Sequence, residues 1–204
     1  FNTEVVGWYG AAFMLSMAPA MLATSVMQGL LLPVLSKCQS EPVKFQLRYL
    51  QVVQACLAVG LLTGAAFAVF GPELLVVLFG SGYREGTEVV ILLGMAQGVR
   101  IAKAGQFVSA LALGSTKIPL IANLARGGAL LAAIGLVSIG YGPVTVAVAG
   151  LVGELVSYMI GTHLLAIRVR SPAVNQLPQI TAWLFLLGLS WAIGTELRGP
   201  APSL

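Results

Sequence analysis

Long apolar stretches, each close to twenty residues or more, divide this chain. They run over about 7–35, 47–70, 87–113, 118–139, 143–167 and 178–197. A helix crosses the ~30 Å hydrocarbon layer of a bilayer with ~20 mainly apolar residues, so each of the six is long enough to span. A shorter apolar piece at 72–80, PELLVVLFG, is too short to cross and is expected to stand apart from the span before it. The breaks read GSGYREG at 80–86, GST at 114–116, GYGP at 140–143 and RVRSPAVNQLP at 168–178. Each holds Gly, Pro or Ser, residues that end helices. The runs lack the two-residue alternation of membrane strands. The pattern predicts an all-α membrane protein with six transmembrane helices.

The charges between the spans orient them. The first connection carries Lys37, Lys44 and Arg48 against Glu41, the third carries Lys117, and the fifth carries Arg168 and Arg170. The opposite ends carry Glu4, Glu73, Glu85, Glu88 and Glu196, with Arg84 and Arg198. Basic loops remain on the cytoplasmic side. The first span therefore runs inward and the rest alternate. Trp8, Tyr9, Tyr83 and Tyr141 fall at the outer headgroup level, where amphipathic rings are favoured.

Composition agrees with this reading. Of 204 residues, 58% are hydrophobic and 9% charged, whereas soluble domains carry about 25% charged residues. The net charge of +4 lies in the loops and inside spans, which argues for membrane contacts and against nucleic acid. Cys38 and Cys56 make no disulfide framework. The chain opens on Phe1, which is read as the mark of a processed chain or a fragment.

Several polar residues lie at membrane depth. Gln97, Arg100, Lys103 and Gln106 recur every third position of the third span. At 100° per residue they form a slowly winding band. Asn123 and Arg126 share a face of the fourth span. Gly150, Glu154, Ser157 and Gly161 share a face of the fifth. A charge at the bilayer centre costs at least ~2.5 kcal/mol on insertion scales, so these residues are expected to face a wet interior or a partner. Lys103 and Arg126 are also long enough to reach the cytoplasmic headgroups along their own stems. Glu154 is either a structural partner for an arginine or a group that titrates in a coupling step. His163 falls roughly opposite Glu154 on its helix and reads as an interface residue. Three cations against one anion make the interior positive and suit an anionic ligand such as a diphosphate. Guanidinium binds phosphate oxygens through paired hydrogen bonds.

Catalytic signatures are missing. There is no GxxxxGK[ST] loop, no HExxH, no CxxC and no aspartate, and one histidine does not make a usual zinc site. No catalytic residue, metal ligand or cofactor is assigned, and the chain is expected not to be an enzyme.

Three segments carry a resemblance. VGWYGAAFMLSMAPAMLATSVMQGLLLPVLSK at 6–37 has a Gly-x-Tyr opening, a long apolar helix and a P-x-L-S-[RK] ending. FGPELLVVLFGSGYREG and ALGSTKIPLIANLARGGALL follow in order. Together, over about 6–165, they resemble the Wzx/PST-type polysaccharide flippases of the multidrug/oligosaccharidyl-lipid/polysaccharide (MOP, MATE-like) superfamily. The resemblance implies two helical bundles around a cavity that opens to each side of the membrane in turn. Residues 1–170 would form most of a C-terminal lobe, and 171–204 an additional span and tail. The N-terminal lobe would be absent from this chain. It further implies transport of undecaprenyl-diphosphate-linked oligosaccharides across the bacterial cytoplasmic membrane. Polymerase or glycosyltransferase partners of the same pathway and H+ or Na+ coupling would go with that role. Arg100, Lys103 and Arg126 would then attract the diphosphate, while Gln97, Gln106, Asn123 and Ser157 would offer hydrogen bonds to sugar. A MATE-like drug or cation exporter and a non-transporting membrane scaffold are the alternatives. The exporter would require buried acids, of which Glu154 alone qualifies.

Overall fold

A computed structural model describes residues 2–170 and Gly188. Five long helices make up the described part: α1 (Thr3–Ser36), α2 (Pro42–Phe79), α3 (Thr87–Ala112), α4 (Lys117–Ser138) and α5 (Pro143–Val169). A 3-10 turn, Ser81–Gly86, joins α2 to α3. The described residues contain no strand. The span expected at 178–197 lies outside them.

Local chemistry sets the helix ends. Asn2 caps α1 by accepting the Glu4 amide proton at 3.1 Å, and Glu4 adds a negative charge to that first turn, where the helix dipole favours it. Pro42 and Pro143 open α2 and α5, where a missing N–H costs nothing. Glycines with positive φ follow α2 (Gly80, 98°), α3 (Gly114, 69°) and α4 (Gly140, 96°). That backbone strains any residue with a Cβ.

α1 and α2 begin four and five residues earlier than expected, and the end of α2 differs most. Residues 72–80 do not stand apart: α2 continues through Pro72 to Phe79. Proline removes one N–H from the ladder but does not stop a helix whose next turns are packed. Here Gly71, Pro72 and Leu75 are all buried, and Gly71 lies against Val90 of α3. Tertiary packing therefore overrides the local break. At ~1.5 Å per residue α2 is about 57 Å long, well beyond the hydrocarbon layer.

Four of the five helices, α1, α2, α4 and α5, are long and apolar enough to cross a membrane. The exception, α3, carries Gln97, Arg100, Lys103 and Gln106, and it is the most enclosed element. Nearly all of it from Val89 to Ala112 is buried. It packs against α2, α1 and α5, whereas α4 leans on α5 and scarcely touches α3. The bundle is thus built around its least apolar long helix. Its outer surface is apolar instead, with Leu22, Leu30, Leu62, Val77 and Leu131 each more than 60% exposed. That is the arrangement of a chain whose surroundings are lipid, and the protein is a membrane protein.

Small residues let the helices close up. A Cβ on Gly60 of α2 would strike the Gly98 carbonyl of α3, and one on Gly94 would strike the Phe67 ring. Gly153 of α5 faces Ala129 of α4, and Gly161 faces Gln106. Backbone proximity of this kind is how membrane helices gain dispersion contacts that lipid cannot match. Apolar clusters fill both ends of the bundle. One centres on Trp8, Phe67, Leu75 and Val89, the other on Leu35, Phe45, Tyr49 and Leu165. Between them, at the middle of α3, Leu57, Val99 and Ala102 keep the α2 side apolar, while the side toward α5 turns polar.

Candidate functional site

Arg100 and Lys103 lie three residues apart on α3, and both turn toward α5. Lys103 Nζ donates to Glu154 Oε2 at 2.8 Å, and Arg100 Nε donates to Glu154 Oε1 at 3.1 Å. Arg126 reaches across from α4 and donates through Nη1 to the same Oε1 at 3.0 Å. One carboxylate therefore joins three helices. It lies near the middle of α5, and its side chain is 6% exposed.

Neighbouring polar groups extend the network. Lys103 Nζ also donates to Ser157 Oγ at 3.0 Å. Arg100 Nη1 donates to Gln97 Oε1 at 3.2 Å. Toward the end of α3, Gln106 Nε2 donates to Thr162 Oγ1 of α5, and the Tyr158 hydroxyl lies beside both. Gln97, Gln106 and Ser157 are all buried; Gln106 and Ser157 bond across the α3–α5 interface, whereas Gln97 bonds Arg100 on its own helix. Buried hydrogen-bonding groups of this kind are costly when left unpaired.

The cations are graded outward. Side-chain exposure rises from 14% for Lys103 to 31% for Arg100 and 40% for Arg126. They open onto a groove of about 190 Å³ between α1 and α4, floored by α3. Asn123 of α4 lines it one helical turn before Arg126. From the other wall α1 contributes Thr24 and Gln28. The sequence reading did not single out these two. Their signal was a four-residue spacing of polar side chains in an otherwise apolar helix, which places them on one face.

Lys103 and Arg126 do not stretch along their stems to the headgroups. Their charged tips converge on Glu154. Each cation–carboxylate hydrogen bond is charge-assisted and thus stronger than a neutral one. Even so, three cations on one anion leave a formal surplus of two positive charges beside the groove. An anion entering there would meet guanidinium groups partly exposed and already oriented. Glu154 supplies that orientation through its three ion pairs. His163 and Gly150 are exposed on α5 and take no part in the cluster.

No curated protein and no solved structure matches this chain significantly. A family model described as "Polysaccharide biosynthesis protein" matches residues 1–88, which cover α1, α2 and the turn into α3. The match makes the chain similar to that family over its first 88 of 204 residues.

Proposed function

We propose that the chain is the C-terminal portion of a membrane transporter that flips lipid-diphosphate-linked oligosaccharides across the bacterial cytoplasmic membrane by alternating access. The observation that carries this reading is the positive groove beside Arg100, Lys103 and Arg126, in an α-helical bundle with an apolar exterior. A diphosphate offers several anionic oxygens to those donors, and two separate guanidinium groups suit it better than a single point charge. Asn123, Thr24 and Gln28 are the groove's neutral hydrogen-bonding groups, and on this reading they meet the first sugar. Gln97 and Ser157 act one step back by holding Arg100 and Lys103 in place, while Gln106 ties α3 to Thr162 of α5. The lipid tail remains in the bilayer beside the apolar faces of α1 and α4.

A second bundle opposite the groove would complete the cavity, as in a MATE-like two-lobe carrier. Polymerases or glycosyltransferases of the same pathway would supply and consume the cargo. An H+ or Na+ gradient or the membrane potential would provide the energy, and the protein would perform transport, not catalysis. An exporter of organic cations is disfavoured, because Glu154 already faces three positive partners and has no carboxylate beside it among the described residues.

The test is glycan export in cells that carry Arg100→Ala or Arg126→Gln, with membrane insertion checked by the amount of full-length protein. Loss of export at unchanged protein level is expected. Unchanged export in both variants would remove the groove from the transport path and favour a scaffold role.

A further inference from the structure

A second polar cavity lies away from the groove. It measures about 470 Å³ and sits at the end of the bundle that carries the basic loops, between the start of α4 and the last turns of α5. Lys117 enters it from α4 and Arg168 from α5. Among the described residues neither makes an ion pair, and none of those lining the cavity is a carboxylate. Ser115 and Thr116 add hydroxyl groups at its rim. The backbone N–H groups of the first turn of α4 have no acceptor within the helix, and Thr116 provides no side-chain cap. All these features favour one anionic group. The rest of the lining is apolar, with Ile118, Ile121, Leu164 and Ile167, and exposed apolar side chains continue along α4 (Leu124, Leu131) and α5 (Met159, Val156).

A polar end that takes a phosphate and an apolar wall that runs toward the membrane centre have the form of a phospholipid. Basic loops place this end at the cytoplasmic surface, where lipid headgroups lie. Basic pockets between membrane helices at that level hold anionic headgroups. We infer that the cavity between α4 and α5 is a binding site for an anionic phospholipid of the cytoplasmic leaflet, with Lys117 and Arg168 on its phosphate and the apolar wall along an acyl chain. The site is separate from the Glu154 cluster and holds whether or not the groove carries a lipid-linked sugar.

Native mass spectrometry of the chain released from detergent tests this. Phosphatidylglycerol and phosphatidylcholine are offered in turn, with inorganic phosphate as competitor. The chain is expected to retain one phosphatidylglycerol in preference to phosphatidylcholine. Lys117→Gln with Arg168→Gln should weaken retention about tenfold. Both residues are at the surface, so the double variant is expected to fold, and an unchanged melting temperature confirms it. Lys44→Gln with Arg48→Gln removes the same charge at the same end outside the cavity and should leave retention unchanged. Equal loss in this control, equal retention of phosphatidylcholine, or undiminished retention in the Lys117/Arg168 variant would each overturn the site. Displacement by millimolar phosphate would identify a free anion as the ligand and overturn the lipid assignment.

Discussion

The Lys103 ammonium lies 2.8 Å from Glu154 Oε2, and both side chains are largely withdrawn from the surface, at 14% and 6% exposure. Each is the other's nearest counter-charge, and each also holds other groups. Lys103 binds Ser157, while Glu154 binds Arg100 and Arg126. The pair is thus the centre of a network in which α3, α4 and α5 share one carboxylate.

Glu154→Gln keeps the shape and removes the charge, which leaves three cations without their common partner. Breaking a buried ion pair in this way costs about 3–5 kcal/mol. Arg100 and Arg126 are partly exposed, so about 3 kcal/mol is the expected loss, read as a lower midpoint in thermal or denaturant unfolding in detergent. Adding Lys103→Met to Glu154→Gln should recover part of that loss, because the cation left most deeply buried is then gone. A double variant no more stable than Glu154→Gln would show that the Lys103–Glu154 pair is not the centre of the network.

Helix packing makes a separate prediction. Gly60→Ala puts a methyl group against the Gly98 carbonyl, a backbone atom that cannot rotate away. Overpacking of this kind costs about 1–3 kcal/mol. Gly150→Ala meets nothing within 4 Å and should be neutral or slightly stabilising. Melting temperatures of the two variants, measured side by side, check the α2–α3 contact independently of any function.

Gln28 is exposed on the α1 wall of the groove and is outside the Glu154 network. Gln28→Ala should leave stability within about 0.5 kcal/mol, as surface substitutions do. On the proposed function it should nevertheless lower glycan export several-fold. Export equal to the parent's would mean that the α1 wall does not meet the cargo.

The two cysteines report on orientation. Cys38 is partly exposed in the first basic connection, and Cys56 is buried in the α2–α3 packing. A membrane-impermeant maleimide should label Cys38 in inside-out vesicles and not in right-side-out ones. Cys56 should remain unlabelled in both until the protein is denatured. Labelling of Cys38 only from the outer side would invert the whole topology.

Much of the architecture was legible along the chain. The positions of α1, α3, α4 and α5 follow from hydrophobic length and from the Gly and Pro residues between them, because these are local properties of the backbone. The placing of Arg100, Lys103, Arg126 and Glu154 well away from the ends of their helices was legible too, since position along a helix converts directly to distance from its ends. The continuation of α2 through Pro72 was not. It depends on Gly71 and Leu75 packing on α3, a contact about twenty residues away in sequence.

What the sequence by itself determined is a set of long, mostly apolar helices and a surplus of positive charge well inside three of them. Only the tertiary structure decided that these charges meet. Lys103 and Glu154 lie 51 residues apart, and no periodicity within one helix says which face of another it will touch. The same holds for Gln106 and Ser157, whose hydrogen bonds to Thr162 and Lys103 join α3 to α5 across more than fifty residues of sequence. Burial follows from how helices pack, and packing is a property of all the faces at once.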